Sequence, residues 1–187
     1  MATKNTLYRS YSMEYGTFVG LCWGAMFFCY VEGISYQNGL LMLLCVALFG
    51  VACVLPFVLA MRLNKKLFAV GERLSYLQGL LFAFSMFMYA CMMNGLIVFA
   101  YFQFLDNGLL MEQMESMVNM PEMITTYQQI GMGEQYEQMI SVLKQIEDLT
   151  PFEKALMMFN NNFFISLILT IVAAIVASYD LTKIHKQ

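Results

Sequence analysis

The sequence predicts an all-α integral membrane protein, a four-helix transmembrane bundle with an extracytoplasmic helical cap between the third and fourth helices. Three observations carry that expectation. First, 60% of the residues are hydrophobic and 12% are charged, with a mean hydropathy of +0.62, a composition far from that of a soluble domain. Second, the apolar residues gather in four long runs, each able to cross roughly 30 Å of hydrocarbon. Third, an acidic, methionine-rich stretch at about 105–158 separates the last two runs and is punctuated like a set of short helices. The chain reads as a single membrane domain with spans at about 15–34, 40–61, 76–104 and 160–180.

Span 1 follows a polar segment carrying Lys4 and Arg9. Gly33-Ile-Ser35 has the small-x-small form of a signal cleavage site, but the expectation is an uncleaved signal-anchor. Gly16, Gly20 and Gly24 recur at every fourth position. On a membrane helix that spacing is a helix-packing seam, because bare backbone lets a second helix approach closely. The seam could serve this chain or a homo-oligomer. SYQNG at 35–39 reads as a short hairpin connection with Tyr36 at the water interface.

Span 2 contains Pro56, which removes one helical N–H and is expected to kink it. A loop at 62–75 follows, with Arg62, Lys65, Lys66 and Arg73. Span 3 is long enough to tilt or to project from the bilayer. Its polar residues include Gln78 and Asn94, which either hydrogen-bond across helices or line a polar path. Thr150-Pro151-Phe152-Glu153 combines an N-cap, a proline at the first helical position and a capping-box glutamate. The helix of span 4 therefore starts before the membrane does.

The basic residues set the orientation. The N-terminal segment, the 62–75 loop and the C-terminal tail (Lys183, His185, Lys186) hold eight of the ten Lys and Arg, and the 105–158 loop holds only Lys144 and Lys154. Lys and Arg favour the cytoplasmic side. The expected location is the bacterial inner (cytoplasmic) membrane, multi-pass, with both termini cytoplasmic and the long loop outside.

Within that loop, Asp106 or Asn107 is expected to cap a helix at about 108–119. Pro121 opens a second, ending at Gly131, and a third runs at about 134–149. Tyr136, Met139, Ile140, Leu143 and Ile146 fall on one face of the third helix. Nine acids against two lysines across the loop exclude nucleic acid and anionic headgroups as partners. Met111, Met114 and Met117 are thioethers of the kind that suit Cu(I). A step of three residues, however, walks about 60° around a helix of 3.6 residues per turn. The methionines therefore read as an adaptable contact surface. Met111, Met114, Met117, Tyr136, Met139 and Leu143 are the expected partner-docking residues.

No Asp, Glu, Lys, Arg or His lies in the middle of a span, where such groups mark proton relays and intramembrane chemistry. The five cysteines, Cys22, Cys29, Cys45, Cys53 and Cys91, sit in apolar runs without C-x-x-C spacing and read as buried hydrophobes. No phosphate loop, zinc spacing or nucleophile–histidine pair is present. The expectation is a protein without catalytic residues, cofactor or metal.

The order of elements resembles domain-of-unknown-function family 4199, a group of bacterial four-helix membrane proteins. The stretches that carry the resemblance are GERLSYLQG (71–79), YFQFLDNG (101–108), MPEM with IGM (120–132), LTPFEKAL (149–156) and FISLILTIVAA (164–174). The resemblance supplies no catalytic residues. It implies an accessory role in envelope assembly, beside a glycosyltransferase that acts on polyprenyl-linked sugars. The expected function is thus a non-catalytic inner-membrane accessory or scaffold protein with an envelope protein partner. The alternatives are an oligomeric passive channel or carrier for a small or lipidic solute, with Gln78 and Asn94 along its path, and Cu(I) binding by the loop.

Overall fold

A computed structural model describes residues 4–179, with side chains from residue 8 onward. The elements are α1 (Lys4–Ser35), α2 (Gly39–Ala69), α3 (Tyr76–Phe104), α4 (Leu109–Val118), α5 (Pro121–Gln129), α6 (Gly133–Glu147) and α7 (Pro151–Ser178). There is no strand among the described residues. Four helices, α1 from Tyr8, α2, α3 and α7, are long and apolar enough to cross a membrane. The expected C-terminal tail residues Lys183, His185 and Lys186 lie outside the described residues.

Helix α3 is the spine of the bundle, packing against α1 on one side and α7 on the other, while α2 packs on α1 and also reaches α7. The α3 sequence explains its position. Gly79, Phe82, Ala83, Met86, Phe87, Ala90, Cys91, Asn94, Val98 and Tyr101 are all buried. They recur at intervals of three and four residues over about six turns, a stripe broad enough to serve two neighbours.

The α1–α3 contact is built on the glycine seam. A Cβ on Gly20 would lie 2.6 Å from Met93 Cβ and 2.7 Å from the Ala90 carbonyl oxygen. Gly16 meets Met86 and Tyr89 in the same way, and Gly24 meets Ile97. The seam is therefore used inside one chain. On the other side of α3, a Cβ on Gly79 would approach the Ala174 carbonyl oxygen at 2.9 Å. The buried Ala173, Ala174 and Ala177 keep α7 equally close. Small residues matter here because hydrocarbon gives helices no hydrophobic reason to associate, and dense van der Waals contact replaces it.

The turns end as their residues dictate. Gln37 takes a left-handed φ of 49°, and the Asn38 side chain then accepts from the N–H groups of Leu40 and Leu41 at the start of α2. Gly71 at φ 74° closes α2, with Gly71 N donating to Phe68 O and Glu72 N to Leu67 O, the paired bonds of a Schellman motif. Ser75 and Gln78 form a capping box for α3. Thr150 and Glu153 form the expected one for α7, with Glu153 Oε2 accepting from Thr150 N at 2.8 Å.

Three boundaries differ from expectation. The 62–75 segment is not all loop, because α2 continues to Ala69. Leu63 and Leu67 extend its buried stripe beyond the apolar run, so Arg62, Lys65 and Lys66 are helical. Lys66 Nζ lies 4.4 Å from the centre of the Tyr11 ring, a cation–π contact that holds the charge at the bundle end. Similarly, α1 begins well before residue 15, with Ser12 and Tyr15 already buried. Finally, neither Asp106 nor Asn107 caps α4. Gly108 occupies the N-cap with a left-handed φ of 78°, and Asp106 Oδ1 accepts from its N–H, so the side chain that was to cap the helix stabilises the turn before it.

The seam predicts opposite effects for two glycines. Gly20→Ala forces backbone apart and costs about 1–3 kcal/mol. Gly50, with open space where its Cβ would be, gains up to about 1 kcal/mol of helix propensity as alanine. Thermal unfolding of the two variants in one detergent measures the contrast; equal midpoints would refute the intrachain seam.

Candidate functional site

The four spanning helices close at one end and part at the other. At the end bearing the α2–α3 turn, Asn64 Nδ2 of α2 donates to Val176 O at 3.2 Å and Tyr179 O at 2.9 Å. These bonds satisfy carbonyls at the end of α7 and tie it to α2. Every buried residue of α2 lies from Ala52 onward. Before that point α2 diverges from α7, while α1 and α3 stay together.

The divergence opens a cavity of about 430 Å³ in the half of the bundle that carries the cap. Each wall is a helical stripe. From α1 come Trp23, Met26, Phe27 and Tyr30, and from α2 come Cys45, Val46, Phe49, Ala52 and Cys53. Met158, Asn162, Ile165 and Leu169 of α7 face them. Trp23 is held by the bundle behind it, its ring stacked on Phe87 at 6.2 Å between centroids. The contribution of α3 is Asn94 alone.

Asn94 is 2% exposed, and its Oδ1 has no hydrogen-bond partner. Its neighbours on the α3–α7 seam are satisfied: Cys91 Sγ lies 3.6 Å from Ser166 Oγ, and Thr170 Oγ1 donates to Ser166 O at 2.7 Å. A buried acceptor without a donor costs about 1–3 kcal/mol. The carboxamide shares a mostly apolar wall with that of Asn162 and with Tyr30.

Gln78 is placed elsewhere. Its Oε1 accepts from Ser75 N at 3.1 Å, and it borders a separate cavity of about 410 Å³ with Tyr8, Arg9 and Ser12. Along α3 it lies about 24 Å from Asn94, at 1.5 Å per residue. The structure does not bring the two expected path residues to one cavity. All five cysteines are free thiols, and two of them, Cys45 and Cys53, line the Asn94 cavity.

The cap stands on the open end. Leu110 is the single buried residue of α4, α5 and α6. It joins a cluster with Phe27, Val31, Ile34, Val98, Tyr101 and Ala155, against which Met114 and Met117 pack. Gln37 Nε2 donates to Gln113 Oε1 at 2.8 Å, fixing α4 to the α1–α2 turn. Met111 faces the other way, into a cleft of about 250 Å³ with Leu143 and Ile140 of α6. The three methionines therefore divide between the bundle and the cleft instead of converging. Tyr136 packs on Tyr127 at 5.8 Å between ring centroids and donates its hydroxyl to Val118 O. Met139 is half-buried beside it.

The family described as Protein of unknown function (DUF4199) matches residues 14–178. The chain belongs to that family. The match runs from the glycine seam of α1 to the last turn of α7, so the bundle, the cavity and the cap are all parts of the family region. No curated protein matches the chain, and no solved structure does.

The Trp23–Phe49–Asn162 lining was not among the expected site residues. One signal was visible in the sequence: Asn160, Asn161 and Asn162 stand in a row at the start of an otherwise apolar span. Leu110 carries a prediction of its own. Leu110→Ala removes the cap's buried anchor at a cost of about 2 kcal/mol or more. Hydrogen exchange should accelerate across 109–118 while α3 keeps its protection; unchanged exchange in α4 would show that the cap is held by other contacts.

Proposed function

We propose that the protein is a non-catalytic accessory or scaffold subunit of the bacterial inner membrane whose cap docks on an envelope enzyme. One observation carries the reading. Helices α5 and α6 are amphipathic, yet neither buries a single residue, and α6 packs chiefly on α4 and α5. Ile130 and Val142 are more than half exposed, outside the span helices that lipid would cover. Exposed apolar side chains on such amphipathic helices support an interaction surface.

The charge around this surface specifies the partner. Glu122, Glu134, Glu137, Glu147 and Asp148 lie on α5, α6 and the cap residue after it, so a complementary surface carries basic groups beside apolar ones. Anionic headgroups are repelled by the same charges. The partner is therefore a protein rather than the bilayer surface. An envelope glycosyltransferase is the candidate that the family resemblance suggests. The bundle then serves as the anchor that holds the cap at a fixed height above the membrane.

The orientation follows the basic residues, with both termini cytoplasmic and the cap outside. A cysteine-free variant carrying Ser141→Cys should react with a membrane-impermeant maleimide added to intact cells, and one carrying Ser10→Cys should react only after lysis. The reverse pattern would put the cap inside and remove an envelope partner.

Docking is tested by photocrosslinking in native membranes. A benzophenone side chain at Val142, which is exposed, should yield one discrete protein adduct, and the same group at Ile168, on a span surface, should yield none. Glu134→Lys with Glu137→Lys should reduce the Val142 adduct roughly tenfold through rim repulsion. An adduct containing only two copies of this chain, or no adduct, would overturn the accessory reading.

A further inference from the structure

We infer that the groove between the starts of α1 and α3 holds one anionic phospholipid, with its phosphate at Arg9 and an acyl chain laid along α3. The groove lies at the end of the bundle away from the cap, and the inference is independent of the docking role of the cap.

Three features select that occupant. The first is shape. The groove has a volume of about 410 Å³, and its α3 side is formed by Gln78, Leu81, Phe82, Ser85 and Tyr89. These residues stand at i, i+3, i+4, i+7 and i+11, a single helical face, and they extend it about 16 Å along the bundle. Leu81 is 60% exposed, so the groove is open on its lipid side. The second is charge. Arg9 lines the groove and is exposed, and it makes no ion pair among the described residues. No carboxylate is among the described lining residues. A phosphate is neutralised there, whereas the ammonium of a zwitterionic headgroup finds no counter-charge. The rest of that end agrees. Among its described residues Arg9, Arg62, Lys65, Lys66 and Arg73 stand against Glu14 and Glu72, a balance that attracts anionic lipid.

The third feature is depth. From Arg9 to Ser35, α1 rises about 39 Å at 1.5 Å per residue, against about 30 Å of hydrocarbon. With that segment centred on the hydrocarbon, Arg9 lies about 5 Å outside it, in the headgroup layer. Helix α3 has 29 residues, about 43 Å. Centred in the same way, it places Gln78 about 4 Å outside the hydrocarbon and Ser85 about 7 Å inside. Two helices thus bring the polar end of the groove to phosphate depth and its floor, with Phe82 and Tyr89, to the acyl chains. A free phosphate uses the first and leaves the second empty; a phospholipid uses both.

Trp23 is the only tryptophan, so Trp23→Phe allows one reporter at a time in the full chain: Leu81→Trp in the groove, or Ile168→Trp on an outer face of α7 that is 70% exposed. Each is placed in vesicles of equal parts phosphatidylglycerol and phosphatidylcholine, with bromine on the chains of one lipid or of the other. Bromine quenches indole at close range, and the surface charge is the same in both vesicles. At Leu81→Trp the anionic lipid should be preferred roughly fivefold, about the contribution of one cationic side chain at a membrane surface. At Ile168→Trp the two should quench alike. Arg9→Gln should abolish the preference, and Arg62→Gln, which removes a charge outside the groove, should leave it. Ser85→Phe fills the floor with Arg9 intact and should abolish it as well. The inference is overturned by equal quenching at Leu81→Trp, by a preference that survives Arg9→Gln or Ser85→Phe, or by one that Arg62→Gln removes. Replacing chloride with inorganic phosphate at equal ionic strength should change nothing; loss of the preference would assign the groove to a soluble phosphate instead. Should the Trp23→Phe chain lose its helical circular dichroism, native mass spectrometry of the unaltered chain decides. It should retain one phosphatidylglycerol in preference to phosphatidylcholine, and Arg9→Gln should not.

Discussion

The close approach of α1 to α3 is the contact on which the rest of the structure depends. In water a bundle of this size would be held by removing apolar surface from solvent, but between lipid-covered helices that drive is absent. What remains is density of contact. Gly16, Gly20 and Gly24 supply it by presenting bare backbone to Met86, Ala90, Met93 and Ile97. With α1 seated, the opposite edge of the α3 stripe is free to receive the alanines of α7, where Gly79 repeats the device against Ala174. Trp23 is carried into position by the same seam, one residue before Gly24, and its stacking on Phe87 follows.

The incomplete closure of the ring follows from where that density is available. The second half of α2 offers Ala52, Ala60 and a polar tie at Asn64, and there α2 reaches α7. The first half offers Leu40, Leu43, Leu44, Val46 and Phe49, all exposed, and its interior glycine, Gly50, meets only open space. The outcome is one bundle with a tied end and an open end. The Asn94 cavity and the cap both belong to the open end, and the Leu110 cluster joins α1, α3, α4 and α7 above it.

Much of the fold was legible in the sequence because its signals are local. The apolar runs, the Thr150–Glu153 capping box and the Pro121 and Gly131 punctuation of the cap each depend on residues a few positions apart, and each appears as expected. The boundaries that moved did so where tertiary contact outweighed hydropathy: Leu63 and Leu67 prolong α2 because they are buried, although charged residues surround them in sequence. The site was less legible. Gln78 and Asn94 look alike as amides in one apolar run, but one closes a capping box while the other is left without a partner in the bundle interior.

By itself, then, the sequence determined that four helices are apolar and long enough to cross a bilayer, that the segment between the last two is acidic and helical, and which residues could pack closely. Those properties are written in composition and in periods of three and four residues. Only the tertiary structure decided that the glycine seam is spent within one chain, that the cap methionines part between bundle and cleft, and that α2 leaves α7 to open a slot at Asn94. Each of these depends on which helix lies beside which, and pairing of helices distant in sequence is chosen by the summed fit of many weak contacts, which no local pattern reports.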